Sequence, residues 1–167
     1  MTSEMSTAHG LLEAALTDLA ILSQPVGPEC LSTNECIELL RHGGLGRVGI
    51  VAAGVAVVVP VNFIYLDGFI EFRTNIGTKL HAVLTAGAVS FEIDHHDPSV
   101  GQGWSVLAIG AATATTDPAE IAAAAHSGLH AAAPGTREYL VKLRPVIMTG
   151  RRFGHYENAQ RLHPREP

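Results

Sequence analysis

The stretch "GRVGIVAAGVAVVVPVNFIYLDGFIEFRT", residues 46–74, decides the fold class. It is rich in β-branched and aromatic residues, and the turn residues Ala53-Gly54 and Asp67-Gly68 interrupt it. Short turns of this kind join antiparallel strands, whereas parallel strands need a long crossover connection. The stretch therefore predicts a three-strand antiparallel meander.

Three later segments extend this predicted sheet. "AVSFEID" (88–94) and "GWSVLAIGAATATT" (103–116) bracket a polar loop, "HHDPSVGQ". "EYLVKLRPVIM" (138–148) gives a sixth strand, open to interruption at Pro145, and a polar tail follows from Gly150. Strands that follow one another through short turns, with helices inserted at a few points, favour a small closed or nearly closed barrel over a doubly wound sheet.

Helices are predicted around these strands. Ser32 and Glu35 have the spacing of a capping box, and Gly43 provides the C-terminal stop. Asp117 is a cap, and the proline after it suits a first helical position. The remaining predicted helices are an amphipathic N-terminal helix within residues 9–25, a short helix at about residues 78–84 and an alanine-rich continuation after residue 121.

Composition limits the class of protein. The 167 residues fit one domain, and 47% hydrophobic against 16% charged residues predicts extensive buried surface. A net charge of -5 argues against a general nucleic-acid or anionic-membrane surface. No signal peptide or membrane-spanning helix is expected, and the spacing of Cys30 and Cys36 matches no zinc or redox pair. We therefore expect a soluble cytoplasmic protein.

A possible anion site follows the meander, in "FIEFRTNIGTKLHAV" (69–83). If a strand ends near Thr74 and a helix begins near Thr78, the free N–H groups of the helix start favour an anion. Arg73 would add a planar fork of donors and Lys79 a point charge. The pattern indicates a phosphate pocket. The alternative is a surface arginine, a solvated lysine and a simple helix cap.

The order of "GRVGIV", "VVVPVNFIYLDGFIEFRTNIGTKL", "VSFEID", "GWSVLAIGAA" and "RPVIMTGRR" resembles the pyridoxamine 5'-phosphate oxidase-related proteins, most of all their nitroimidazole-reductase-like branch. The resemblance covers about residues 31–152. It implies a mainly β fold with helices (α+β), a six-stranded antiparallel split β-barrel. The expected divisions are an N-terminal helical extension (1–28), an FMN-binding split-barrel domain (29–152) and a polar tail (153–167).

The resemblance also implies a homodimer that carries FMN in clefts at the subunit interface. The residues that match the strand holding the FMN phosphate are Arg73 and Thr74, followed by Asn75, and those that open the next helix and add donors are Thr78 and Lys79. The strand that would run along the flavin ring contains Pro60, Val61 and Asn62. The segment that would approach the flavin, often from the other subunit, contains Trp104 and Ser105.

The function that this implies is an oxidoreductase that passes electrons from a reduced nicotinamide or similar donor to a small oxidised substrate. The chain lacks the full arginine and histidine set with which pyridoxamine-phosphate oxidases hold their substrate, so that activity is not expected. A related branch binds F420 in the same barrel. A non-catalytic carrier of flavin, F420 or haem is the alternative, with His81, His95 or His96 as axial ligands of haem. No catalytic side chain is assigned.

Other polar residues have simpler interpretations. The cluster Glu92, Asp94, His95, His96 and Asp97 fits no known metal spacing, so no metal is expected there. Trp104 is equally well explained as a core or interface anchor. Arg151 and Arg152 either lend charge to the pocket or belong to an exposed tail.

Overall fold

The computed structural model describes residues 29–52, 54–74, 88–129 and 139–154. Its elements in chain order are β1 (Cys30–Leu31), α1 (Thr33–Arg41), β2 (Gly44–Ala52), β3 (Val55–Leu66), β4 (Phe69–Thr74), β5 (Ala88–Asp97), β6 (Gln102–Thr115), α2 (Pro118–His126) and β7 (Tyr139–Phe153). The helices predicted within residues 9–25 and at about 78–84 lie outside the described residues.

The strands form a closed antiparallel ring. Their order is β1-β7-β4-β3-β2-β5-β6, and β7 also pairs with β6, so six strands close the ring and β1 attaches to β7. The ring is uneven, because β2 pairs with β5 only at residues 47–49 while β6 and β7 pair along most of their length. This confirms the predicted split barrel, and the β2-β3-β4 meander is confirmed with it.

The hydrophobic core fills the inside of the ring. Side chains alternate along a strand, so each strand sends every second residue inward. Phe63, Phe72 and Phe91 are among these buried residues, and the rings of Phe63 and Phe91 meet edge to face at 4.9 Å. The intervening side chains point outward, which makes the outer surface of the barrel available for a site.

Two strands are longer than the sequence predicts. β5 continues through His95 and His96 to Asp97, because the hairpin with β6 pairs these residues with residues 102–104. β7 continues to Phe153 instead of ending near Met148, so the polar tail does not begin at Gly150. The end of β7 is rich in polar residues and glycine, which have little intrinsic preference for a strand. Pairing with β6 and β1 therefore causes the strand to continue there.

Pro145 does not interrupt β7. Gly110 pairs with Pro145 and Ile109 pairs with Ile147, which leaves Val146 as an extra residue, a β-bulge. Proline has no backbone N–H to donate, so a bulge in the ladder is a place where it is tolerated.

Both described helices begin as predicted. The Ser32 hydroxyl accepts from the Glu35 N–H, and the Ser32 N–H donates to the Glu35 carboxylate at 2.8 Å, completing the capping box. Asp117 caps α2 through the Ala119 N–H at 2.9 Å. Within the described part of the chain, no helix is long and apolar enough to cross a membrane.

Candidate functional site

The candidate site begins on the outer surface of β3 and β4. Phe63 of β3 lies opposite Phe72 of β4, and both point into the core. The next residues, Asn62 and Arg73, therefore leave their strands on the outer side, next to each other. Pro60 is also outward and exposed. We call these three residues, Pro60, Asn62 and Arg73, the Arg73 face.

The other predicted phosphate and ring residues are placed differently. Val61 is buried in the core, so only its backbone is available to a ligand. Thr74 is buried and leaves β4 on the side opposite to Arg73. Asn75, Thr78 and Lys79 lie outside the described residues. The structure therefore brings together Pro60, Asn62 and Arg73 of the predicted set.

An apolar strip adjoins the Arg73 face. Leu45 of β2 lies opposite Asn62, and its side chain is 59% exposed. Farther along the same two strands, Val51 and Val58 are each 65% exposed. Contiguous exposed apolar patches mark surfaces that bind a ligand or a partner. Here Arg47, which pairs with Pro60, separates Leu45 from Val51 and Val58. A cationic fork beside an apolar strip suits a ligand with an anionic end and a flat apolar body.

Trp104 and Ser105 lie apart from the Arg73 face in the single chain. They are on β6, which β2 and β5 separate from β3 and which β7 separates from β4. Along β7, they pair with Arg152 and Arg151, far from Leu140, which pairs with Arg73. Trp104 packs against the barrel core, and its ring centroid lies 6.1 Å from that of His95. A contact between these residues and a ligand on the Arg73 face would thus have to come from a second copy of the chain.

The structure reveals a charged group that was not predicted from the sequence. Glu71, on β4, is only 5% exposed beneath α2. Lys142 of β7 lies opposite it, with Nζ 3.8 Å from the Glu71 carboxylate and 2.9 Å from that of Glu120. Burial raises the pKa of Glu71, and the bond to Glu120 raises the pKa of Lys142. In the sequence, the only sign of this group is a charged residue that alternates with Ile and Phe along a predicted strand.

Other charged residues form ion pairs within the fold. Arg47 of β2 contacts both Glu92, at 3.0 Å, and Asp94. These contacts account for two members of the acidic cluster in "FEIDHHD". Among the described residues, no group of three His, Cys, Asp or Glu side chains could hold a metal ion.

A cavity of about 460 Å³ lies between α1 and the bulged part of β7. It opens where β7 passes from its pairing with β4 to its pairing with β1. Its lining residues are Thr33, Ile37, Tyr65, Gly68, Pro145, Val146, Ile147 and Met148. None of the residues predicted to bind the cofactor is among them.

The donor set of the Arg73 face fits the phosphate end of a nucleotide cofactor. Arg73 is half-buried, which lowers the local dielectric around its charge, and its guanidinium presents several N–H donors in one plane. Asn62 is also half-buried and adds an amide on the neighbouring strand. A planar fork of this type matches the oxygens of a phosphate.

Comparisons with known proteins identify the family of this chain. Residues 32–152 match the sequence profile of the family described as pyridoxamine 5'-phosphate oxidase. The uncharacterised protein Rv0080 of Mycobacterium tuberculosis is 32% identical over 128 residues, which cover 74% of this chain and 84% of that protein. The family match confirms the resemblance seen in the sequence.

Two solved structures share both fold and sequence. The FAD-binding protein of Mycobacterium smegmatis is 37% identical, with a TM-score of 0.61 over 75% of this chain and 98% of that one. A protein of Corynebacterium glutamicum, provisionally named a pyridoxamine 5'-phosphate oxidase, is 31% identical, with a TM-score of 0.65 over 78% of this chain and 97% of that one.

Proposed function

This chain belongs to the pyridoxamine 5'-phosphate oxidase family, and we propose that it binds a flavin nucleotide on the Arg73 face and uses it for electron transfer. The observation that carries the proposal is the outward placement of Arg73 and Asn62 beside an exposed apolar strip. The relative that is 37% identical is an FAD-binding protein, which supports a flavin.

In this proposal, Arg73 binds the flavin phosphate through its planar fork. Asn75, Thr78 and Lys79 complete the phosphate pocket without the Thr74 side chain, which is buried on the other side of β4, and the backbone of residues 60–62 runs along the ring. FMN needs one phosphate pocket, whereas FAD needs room for a second phosphate and an adenosine. We propose FMN as the resident form, and the experiment below includes FAD because of the relative.

We further propose that two copies of the chain form the complete site. Leu45, Val51 and Val58 present a strip that is apolar and exposed in the single chain, as expected of a surface that a second subunit covers. Trp104 and Ser105 lie far along the barrel from Arg73 of their own chain, because they pair with the end of β7 and Arg73 pairs with its beginning. In the homodimer, Trp104 and Ser105 of the partner subunit close the site over the flavin.

A bound flavin supplies hydride and single-electron chemistry. The protein's residues would bind and orient it, exclude water and select the molecule that stacks on the exposed ring. The exposed apolar side chains beside the Arg73 face favour a small, flat, oxidised substrate, with a reduced nicotinamide as electron donor. We propose that this reaction takes place in the cytoplasm.

The test is an absorption spectrum of the purified chain after incubation with FMN, FAD, F420 or haem and removal of free ligand. We expect a retained two-band flavin spectrum, reduced by NADH or NADPH and restored by a small oxidised acceptor. Retained flavin without turnover on a broad acceptor panel would support the carrier alternative. Retention of only F420 or haem, or of no chromophore, would overturn the proposal.

A further inference from the structure

A buried carboxylate lies close to the proposed phosphate position. Glu71 and Arg73 are separated by one residue on β4, so both side chains leave the strand on its outer side, about 7 Å apart. Glu71 lies opposite Ile64 of β3. Ile64 packs against a second, smaller hydrophobic cluster, formed by Ala124 of α2 with Leu129 and Leu140. A negative charge in this low-dielectric position would repel a phosphate at Arg73.

One lysine compensates that charge. Lys142 is opposite Glu71 in the β4–β7 ladder, and its ammonium lies 3.8 Å from Glu71 and 2.9 Å from Glu120. Asp67, in the turn before β4, adds a further negative charge that acts on Glu71. Among the described residues, Lys142 is thus the cation that lies between the Glu71 carboxylate of the sheet and the Glu120 carboxylate of α2.

We propose that Lys142 is a positioning residue for phosphate recognition: by neutralising Glu71, it allows Arg73 to bind the anionic end of the flavin nucleotide. This inference rests on the proposed function. It assigns a specificity role to a residue that would not touch the ligand. Since the effect is electrostatic, it acts on the phosphate and leaves the uncharged ring of the flavin unaffected.

The test compares the flavin nucleotide that the wild-type chain retains, FMN or FAD, with riboflavin, which has no phosphate. In Lys142→Met, we expect the nucleotide to bind about tenfold more weakly at mildly alkaline pH, where Glu71 is ionised, because one uncompensated charge acts across about 7 Å or slightly more. The effect should shrink as the pH falls, because burial and the loss of Lys142 both raise the pKa of Glu71. The affinity for riboflavin should stay unchanged. Adding Glu71→Gln to Lys142→Met should restore nucleotide binding.

Arg144→Met is the matched control, because Arg144 is an exposed cation two residues farther along β7. It should leave the nucleotide-to-riboflavin affinity ratio within about twofold. Equal weakening of both ligands in Lys142→Met, or no rescue by Glu71→Gln, would overturn the inference and indicate a purely structural lysine.

Glu71→Gln alone covers the case in which Lys142→Met does not fold. This variant retains the lysine and loses the carboxylate, so we expect the nucleotide to bind several-fold more tightly and riboflavin to bind as before. An unchanged ratio would overturn the inference alone. A wild-type chain that binds no flavin would overturn the proposed function, and this inference with it.

Discussion

The guanidinium of Arg152 lies 2.8 Å from the carboxylate of Glu35, and this contact joins the last strand of the barrel to the first described helix. The same carboxylate accepts from the N–H of Ser32, so one side chain both caps α1 and binds β7. The Arg152 N–H also donates to the Glu29 carbonyl at 2.7 Å. Arg152, a candidate for charge in the pocket, is thus held by the start of α1.

The contact between Glu35 and Arg152 predicts a specific dependence of stability on pH. The hydrogen bonds from Arg152 and then from Ser32 lower the pKa of Glu35 from 4.5 to about 2. A carboxylate whose pKa is lower in the folded state adds stability above its unfolded pKa and loses it as the pH falls to the folded one. We expect Glu35→Gln to lower the urea midpoint at about pH 7 and to have no effect near about pH 2.

Glu38→Gln is the control for that experiment, because Glu38 forms an exposed pair with Arg41 on the same helix. Its effect on the midpoint should be small at all pH values. A Glu35→Gln effect of equal size at both ends of the pH range would contradict the assigned role of the carboxylate charge.

The phosphate pocket predicts a loss of flavin binding when its two cations are removed. Replacing Arg73 and Lys79 together with alanine should weaken flavin-nucleotide binding by roughly a hundredfold or more, since each charge-assisted hydrogen bond contributes about 1.5–3 kcal/mol. Fluorescence titration measures the affinity, and a thermal melt checks the fold. Arg144→Ala, an exposed arginine on β7, should bind as wild type; unchanged affinity in the double variant would remove the phosphate pocket.

Trp104 provides a test of the dimer. Because its ring packs against the core near one end of the barrel, Trp104→Ala should lower the free energy of unfolding by about 1–3 kcal/mol, less than for a fully buried tryptophan. If the partner subunit's Trp104 closes the site, the substitution should also weaken dimerisation and flavin retention, measured by analytical ultracentrifugation and absorbance. Trp104→Phe is the milder control, and loss of neither property would place Trp104 outside the interface.

The bulge at Val146, beside Pro145 on β7, makes Gly110 of β6 sensitive to substitution. A Cβ added at Gly110 would lie 1.9 Å from the Arg144 carbonyl oxygen, which is backbone that moves only if the β6–β7 ladder shifts. Gly110→Ala should therefore lower the free energy of unfolding by about 1–3 kcal/mol or more. Ala111→Ser, at the next and exposed position, should change it by no more than about 0.5 kcal/mol. Equal chemical denaturation curves for the two variants would refute the close packing.

Local sequence patterns were sufficient to predict the meander, because β-branched and aromatic runs alternate with Gly54 and Gly68 at the turns. The caps at Ser32 and Asp117 follow from spacing alone in the same way. The strand ends at His96 and Phe153 could not be predicted, since pairing with residues distant in sequence creates them.

The candidate site, too, could be predicted from the sequence only in part. The outward position of Arg73 follows from alternation along "FIEFRT", whereas the inward position of Thr74 shows that neighbouring residues in a motif need not share a face. The Glu71 and Lys142 pair joins residues from β4 and β7, and only the register of those strands reveals it.

The closure of the ring by β7 also affects how the chain folds during synthesis. β7 is the last described strand, and it pairs with β4, β6 and β1 at once. Until it leaves the ribosome, β4 and β6 each have one unpaired edge. Phe72 and Val106, which are buried in the folded chain, then lack the part of the core that β7 supplies. Contacts between such distant parts of a chain form slowly, so a nascent chain that stalls before residue 139 would need chaperone protection against aggregation.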